Sequence, residues 1–246
     1  MFQSHHAAPA FLGICLGVVL MAATVATPAR AGSNVDMELV LAADASGSID
    51  DGEHALQRMG YARALRDPRV LNAIRGGAEQ AIAVTYIEWT GRGMQTTVVP
   101  WTIIKDQDSA EQFAQQLLSS PRALYGGGTA VGEAIYYAAT LFDKNDIDSD
   151  RQVIDVSGDG PANQGRQAAS GRDYAVQKGI TVNGLPILTD YPGLDVYYEQ
   201  NVIGGSGAFM VPAKGFDDFA EAVLHKLIRE VAGTPTPSRL AKAAAK

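Results

Sequence analysis

Three short stretches of the chain concentrate side chains suited to holding a cation. The first, Asp44-Ala45-Ser46-Gly47-Ser48, alternates a carboxylate and two hydroxyls with small residues. The second, Gly126-Gly127-Gly128-Thr129, offers a hydroxyl at the end of a glycine run. The third, Ser157-Gly158-Asp159-Gly160, sets a carboxylate between two glycines. One such hydroxyl alone reads as a helix cap. Five positions together, Asp44, Ser46, Ser48, Thr129 and Asp159, read as a ligand set, with glycines to let the backbone turn tightly around it. The donors are all hard oxygens, and no Cys or His lies within these stretches. Such donors suit Mg²⁺, Mn²⁺ or Ca²⁺ rather than Zn²⁺ or Cu²⁺. Two carboxylates with hydroxyls and water favour Mg²⁺, an octahedral ion, with Mn²⁺ or Ca²⁺ as the alternatives.

These stretches can meet only if the elements before them end at one edge. Met37 to Ala43 is an apolar run that stops at Asp44, as a buried central strand does. Asp50 and Glu53 form a capping-box pattern, predicting a helix to about Arg66. Ala81 to Trp89 reads as a second strand. Gln95 to Ile104 reads as a third, placed at an edge by Pro100. Helices are expected at Ser109–Leu118, from Val131 to Phe142 after the glycine loop, and at Arg166–Lys178. Strands are expected at Arg151–Ser157 and Ile180–Ile187, and a short one at Ala208–Val211. Phe216, Phe219, Val223, Leu227 and Val231 lie at helical spacing and predict a long final helix. Alternating strands and helices define an α/β protein with a doubly wound, mostly parallel open sheet and helices on both faces. Sheets of this kind place sites in the crevice beyond the carboxyl ends of the strands.

Composition narrows the class. Of 246 residues, 46% are hydrophobic and 19% charged, which excludes a disordered chain. A single Cys and four His exclude a disulfide scaffold and a zinc finger. A net charge of -7 argues against binding nucleic acid through phosphates. Residues 1–31 hold an apolar core and end in Ala29-Arg30-Ala31, an A-x-A pattern. They are expected to be a signal peptide, with a retained anchor as the alternative. The domain organisation expected is a signal peptide at 1–31, one domain at 35–232 and a flexible tail at 233–246. The implied location is periplasmic or secreted, with no membrane span after cleavage.

The D-x-S-x-S loop, the Thr in a glycine loop and the Asp of a later strand-end turn resemble the von Willebrand factor type A (VWA) domain, over roughly Val35 to Val231. The resemblance implies that Asp44, Ser46, Ser48, Thr129 and Asp159 form a metal-ion-dependent adhesion site (MIDAS). It implies that the two Ser and the Thr bind the ion directly or through water, and that the two Asp act largely through water. One ion position is left for an Asp or Glu of a partner protein. Val153 to Gly160, Gly179 to Ile187 and Val202 to Gly205 further resemble a bacterial family of exported VWA-like proteins of unknown function. The implied function is a non-enzymatic, metal-dependent protein-binding module. Trp89, Arg92, Tyr125, Asn163 and Tyr191 fall near the expected site and form a candidate rim for a partner.

The competing function is a Mg-dependent phosphoryl-transfer enzyme of haloacid-dehalogenase type, with Asp44 as nucleophile. That chemistry calls for a second Asp two residues on as general acid, where Ser46 stands. A serine hydrolase fits less well, since the chain has no G-x-S-x-G. Asp155, inside a strand, reads as a satisfied structural carboxylate.

Overall fold

The structure, a computed structural model, describes residues 1–2 and 33–233. Apart from Met1, Phe2 and Gly233, the expected signal segment and tail lie outside the described residues. In chain order the elements are β1 (Ser33–Asn34), β2 (Met37–Asp44), α1 (Asp51–Arg66), α2 (Pro68–Arg75), β3 (Ile82–Trp89), β4 (Gln95–Ile104), α3 (Gln107–Ser119), α4 (Val131–Leu141), β5 (Ile147–Asp148), β6 (Gln152–Gly158), α5 (Ala168–Gln177), β7 (Thr181–Pro186), α6 (Leu194–Asn201) and α7 (Phe216–Ala232).

Every residue of β2 and β3 is buried. That burial follows from strands covered on both faces, and it explains their largely apolar sequences, broken only by Glu38, Asp44, Thr85 and Glu88. The main sheet has the order β4-β3-β2-β6-β7. β2 pairs in parallel with both β3 and β6, and β6 with β7. β4 is the antiparallel edge strand. Its register shifts between the Val84 and Tyr86 pairings, opposite the stretch that holds Pro100, a residue with no N–H for the ladder. β1 and β5 form a separate small parallel pair.

Side chains alternate across β2. Met37, Leu39, Leu41 and Ala43 join Tyr61, Leu65, Phe113, Phe219, Val223 and Leu227 under α1, α3 and α7. Val40 and Ala42 join Val131, Ile135, Ala138 and Val182 under α4 and α5. Each fully buried Leu, Val or Phe stabilises the fold by about 1.5–3 kcal/mol. The expected capping box opens α1: the Asp50 carboxylate accepts from Glu53 N–H, and the Glu53 carboxylate accepts from Asp50 N–H. α1 also comes close to α7. A Cβ on Gly60 would lie 2.7 Å from the Phe219 ring.

Three departures from the sequence expectation have local causes. The chain re-enters a helix after Arg66 because Asp67 caps it and Pro68 takes the first-turn position, where a missing N–H costs nothing. α6 had no apolar stripe to announce it. Ala208–Val211 forms no strand; Met210 makes a single bridge to Gly184. Gly205 and Gly207, both at positive φ, keep the segment turning as it enters.

Candidate cation site

β2 and β6 lie side by side, and the chain's crossovers diverge to either side of β2. This is the topological switch point, where strand-end loops part and leave a crevice. Asp44 is the last residue of β2, and Asp159 directly follows β6.

The residues join through a short series of contacts. Asp44 Oδ1 accepts from Ser46 N–H at 2.8 Å. The Ser46 and Ser48 hydroxyls lie 3.3 Å apart. The Ser48 hydroxyl donates to Asp159 Oδ1 at 2.9 Å. Thr129 joins through its loop: Gly47 N–H donates to Gly127 O at 3.1 Å. Gly126 and Gly127 turn this loop with φ of 63° and 91°, backbone that a side chain would strain. Asp44, Ser46, Thr129 and Asp159 are buried, whereas Ser48 faces solvent.

The electrostatics are unfavourable as the side chains stand. Asp44 Oδ2 and Asp159 Oδ2 are buried without a hydrogen-bond partner among the described residues. Burial, and then the charge of Asp159, pushes the Asp44 carboxyl up to about 8. Burial raises Asp159 as well, and Asp190 adds to the rise. Two buried carboxylates, the charge of Asp159 disfavouring that of Asp44, with serine hydroxyls between them, form an arrangement that a hard cation would relieve. Among the described residues no group of three or more His, Cys, Asp or Glu is set to hold a metal. A cation held here would therefore need the hydroxyls as well as the two carboxylates.

Side chains from distant segments hold the loops. Gln57 Nε2 donates to the Asp44 carbonyl at 3.0 Å, while its Oε1 accepts from Ser157. The Ser157 hydroxyl in turn accepts from Tyr61. Arg122, almost buried, donates to the carbonyls of Ala45 and Ile49, at either end of the first loop, and to Asp51. Sequence reasoning missed Gln57 and Arg122, because nothing in their own neighbourhood signals partners 13 and more than 70 residues away.

The candidate rim divides. Trp89 is fully buried beneath α4 with Val40 and Ile87, so it belongs to the core and cannot meet a partner. Asn163 is exposed, but it acts on the loop. Its Oδ1 accepts from Thr129 N–H at 2.9 Å, and its N–H donates to Thr129 O at 2.9 Å. Arg92 is exposed, and its N–H donates to Gln164. Tyr125 and Tyr191 are 64% and 45% exposed, high for large rings. The Arg122 guanidinium lies 5.0 Å over the Tyr125 ring. Asp155 pairs with Lys226 at 2.7 Å inside the core, far from a ligand's role.

A mostly parallel sheet with helices on both faces is the architecture of a von Willebrand factor type A domain. The chain belongs to the family described as "Protein of unknown function (DUF1194)", whose model matches residues 34–235. No curated protein matches the sequence. Several solved structures share the fold. Proximal thread matrix protein 1 from the mussel byssus, with a zinc-occupied MIDAS motif, aligns with a TM-score of 0.57 at 12% identity, over 80% of this chain and 46% of that one. The pilus adhesin SpaC from Lactobacillus rhamnosus GG aligns with a TM-score of 0.57 at 14% identity, over 80% and 31%. A von Willebrand factor type A protein from Catenulispora acidiphila aligns with a TM-score of 0.56 at 16% identity, over 82% and 44%. The chain thus spans less than half the length of each of these three proteins. Among the described residues no helix is long and apolar enough to cross a membrane.

Proposed function

We propose that the domain at 35–232 is an exported, non-enzymatic module that captures a partner protein through a divalent cation. Asp44, Ser46, Ser48, Thr129 and Asp159 would hold the ion, with Mg²⁺ preferred over Mn²⁺ or Ca²⁺. The observation that carries this reading is a pair of buried oxygens, Asp44 Oδ2 and Asp159 Oδ2, with no hydrogen-bond partner among the described residues, on carboxylates whose Oδ1 atoms are linked through Ser46 and Ser48. When bound, the ion supplies positive charge that an Asp or Glu of the partner completes. The chain's own residues do the rest. Arg122 and Gln57 fix the first loop, and Asn163 fixes the Thr129 loop. Exposed Arg92, Tyr125 and Tyr191 offer contacts around the opening. Residues 1–31 would serve as the export signal and 233–246 as a flexible tail.

The phosphoryl-transfer reading lacks its general acid. Ser46 occupies that position, and its hydroxyl is engaged with Ser48. Capture from native periplasmic extract, with and without chelator, tests the proposal. Wild-type protein is expected to retain a partner only with divalent ion, and Asp44→Ala and Thr129→Ala to lose it while staying folded. Capture that persists in chelator, or magnesium-dependent ester hydrolysis lost in Asp44→Asn, would overturn it.

A further inference from the structure

Tyr198 is fully buried on α6, and its hydroxyl has no hydrogen-bond partner among the described residues. Its ring lies across two adjacent strands where both supply glycine. A Cβ on Gly184 would sit 2.7 Å from the ring's Cδ1. A Cβ on Gly158 would sit 3.0 Å from the hydroxyl and 2.9 Å from Asp44 Oδ2. The two glycines therefore form a slot that admits the ring and delivers its oxygen beside the unpartnered oxygen of Asp44. Packing does not require that oxygen. A phenylalanine would fill the slot without burying an unpaired hydroxyl, an arrangement that disfavours the fold.

We propose that Tyr198 is a positioning residue for the cation site, its hydroxyl serving as the donor that orients Asp44 Oδ2 when the ion is bound. The inference rests on the cation-binding reading and deepens it. Asp44 reaches the ion from a strand end, and an unrestrained carboxylate would swing. A donor on its outer side fixes its rotation, as outer partners of metal-holding groups do. Tyr198 approaches from α6, an element the five-residue motif does not include.

The test is calorimetric titration of the full chain with Mg²⁺, alongside the thermal midpoint of the ion-free protein. Tyr198→Phe is expected to weaken Mg²⁺ binding about tenfold, with an ion-free midpoint equal to or above wild type. A packing role alone would move the midpoint and leave the affinity. Gly158→Ala, which drives a methyl between the two oxygens, is expected to weaken binding further. Wild-type binding with Tyr198→Phe affinity within twofold of it would overturn the inference and leave the cation reading standing. A wild-type chain that binds no Mg²⁺ would overturn the cation reading, and this inference with it.

Discussion

At Glu88, burial works against ionisation and several donors work for it. Burial alone would raise this carboxyl. Bonds from His54 and Arg58, with the Ala123 N–H, outweigh it and leave the group below its ordinary value of 4.5. Arg58 also donates to the carbonyls of Leu117 and Pro121, so the cluster ties the end of β3 to the segment that carries Arg122. A carboxyl lowered in the folded state stabilises it above the unfolded value, and that contribution is lost as pH falls through the lower folded value. Glu88→Gln is therefore expected to lose roughly 3–5 kcal/mol at neutral pH, the cost of breaking a buried pair. Its deficit against wild type should shrink below about pH 4.5. Urea denaturation at a series of pH values reads both effects, and a deficit constant with pH would contradict them. The loops carrying the five candidate ligands were legible because Asp44, Ser46, Ser48 and Asp159 lie at or just past the ends of strands, and Thr129 closes a glycine run before a helix. Glu88 was hidden inside an apolar run. Trp89 was misplaced for a related reason: the end of a strand was taken for its rim, although period-2 alternation sets Trp89 on the inward face with Ile87.

The final helix shows what a hydrophobic stripe reveals and what it conceals. Phe216, Phe219, Val223 and Leu227 announced α7 and its buried face correctly. Lys226, between them in sequence, looks like half of a surface pair with Glu230 four residues on. It is fully buried, 2.7 Å from Asp155 of β6, and also bonded to Glu230. Asn183 of β7 donates to the same Glu230. One cation thus anchors α7 to the middle of the sheet, and burial raises Asp155 to about 7 despite it. Lys226→Met, close in volume but uncharged, strands two buried carboxylates. It is expected to cost roughly 3–5 kcal/mol, measured as a lower urea midpoint at neutral pH. A change under 1 kcal/mol would mean that Lys226 contributes little to anchoring α7. No local pattern could disclose this pairing, since Asp155 and Lys226 lie 71 positions apart and meet only once the sheet and helix have packed. α2 had a readable signal in Asp67-Pro68, whereas α6 is held by contacts around Tyr198 rather than by periodicity.

Across the molecule, folding concentrates negative charge at one end of the sheet. Strand order alone brings Asp44 and Asp159 together, from positions more than a hundred residues apart, and the core allows neither an easy escape to water. Natural sites often give up stability in this way for a ligand that restores it. A cation bound only to the folded state stabilises by mass action, about 2.7 kcal/mol at a hundredfold excess over its dissociation constant. For a domain of this size that amounts to a rise of roughly 5–10 °C in thermal midpoint. Wild-type protein is expected to show this rise with Mg²⁺ and lose it on chelation. Asp44→Asn, which removes one of the two opposed carboxylates but keeps an acceptor for Ser46 N–H, should start from a higher ion-free midpoint. It should gain nothing from the ion. Scanning fluorimetry of both proteins, with and without Mg²⁺, separates the possibilities. An equal rise in the two would place the stabilising cation elsewhere on this acidic chain, and an ion-free midpoint no higher in Asp44→Asn would mean that the opposed charges carry no cost.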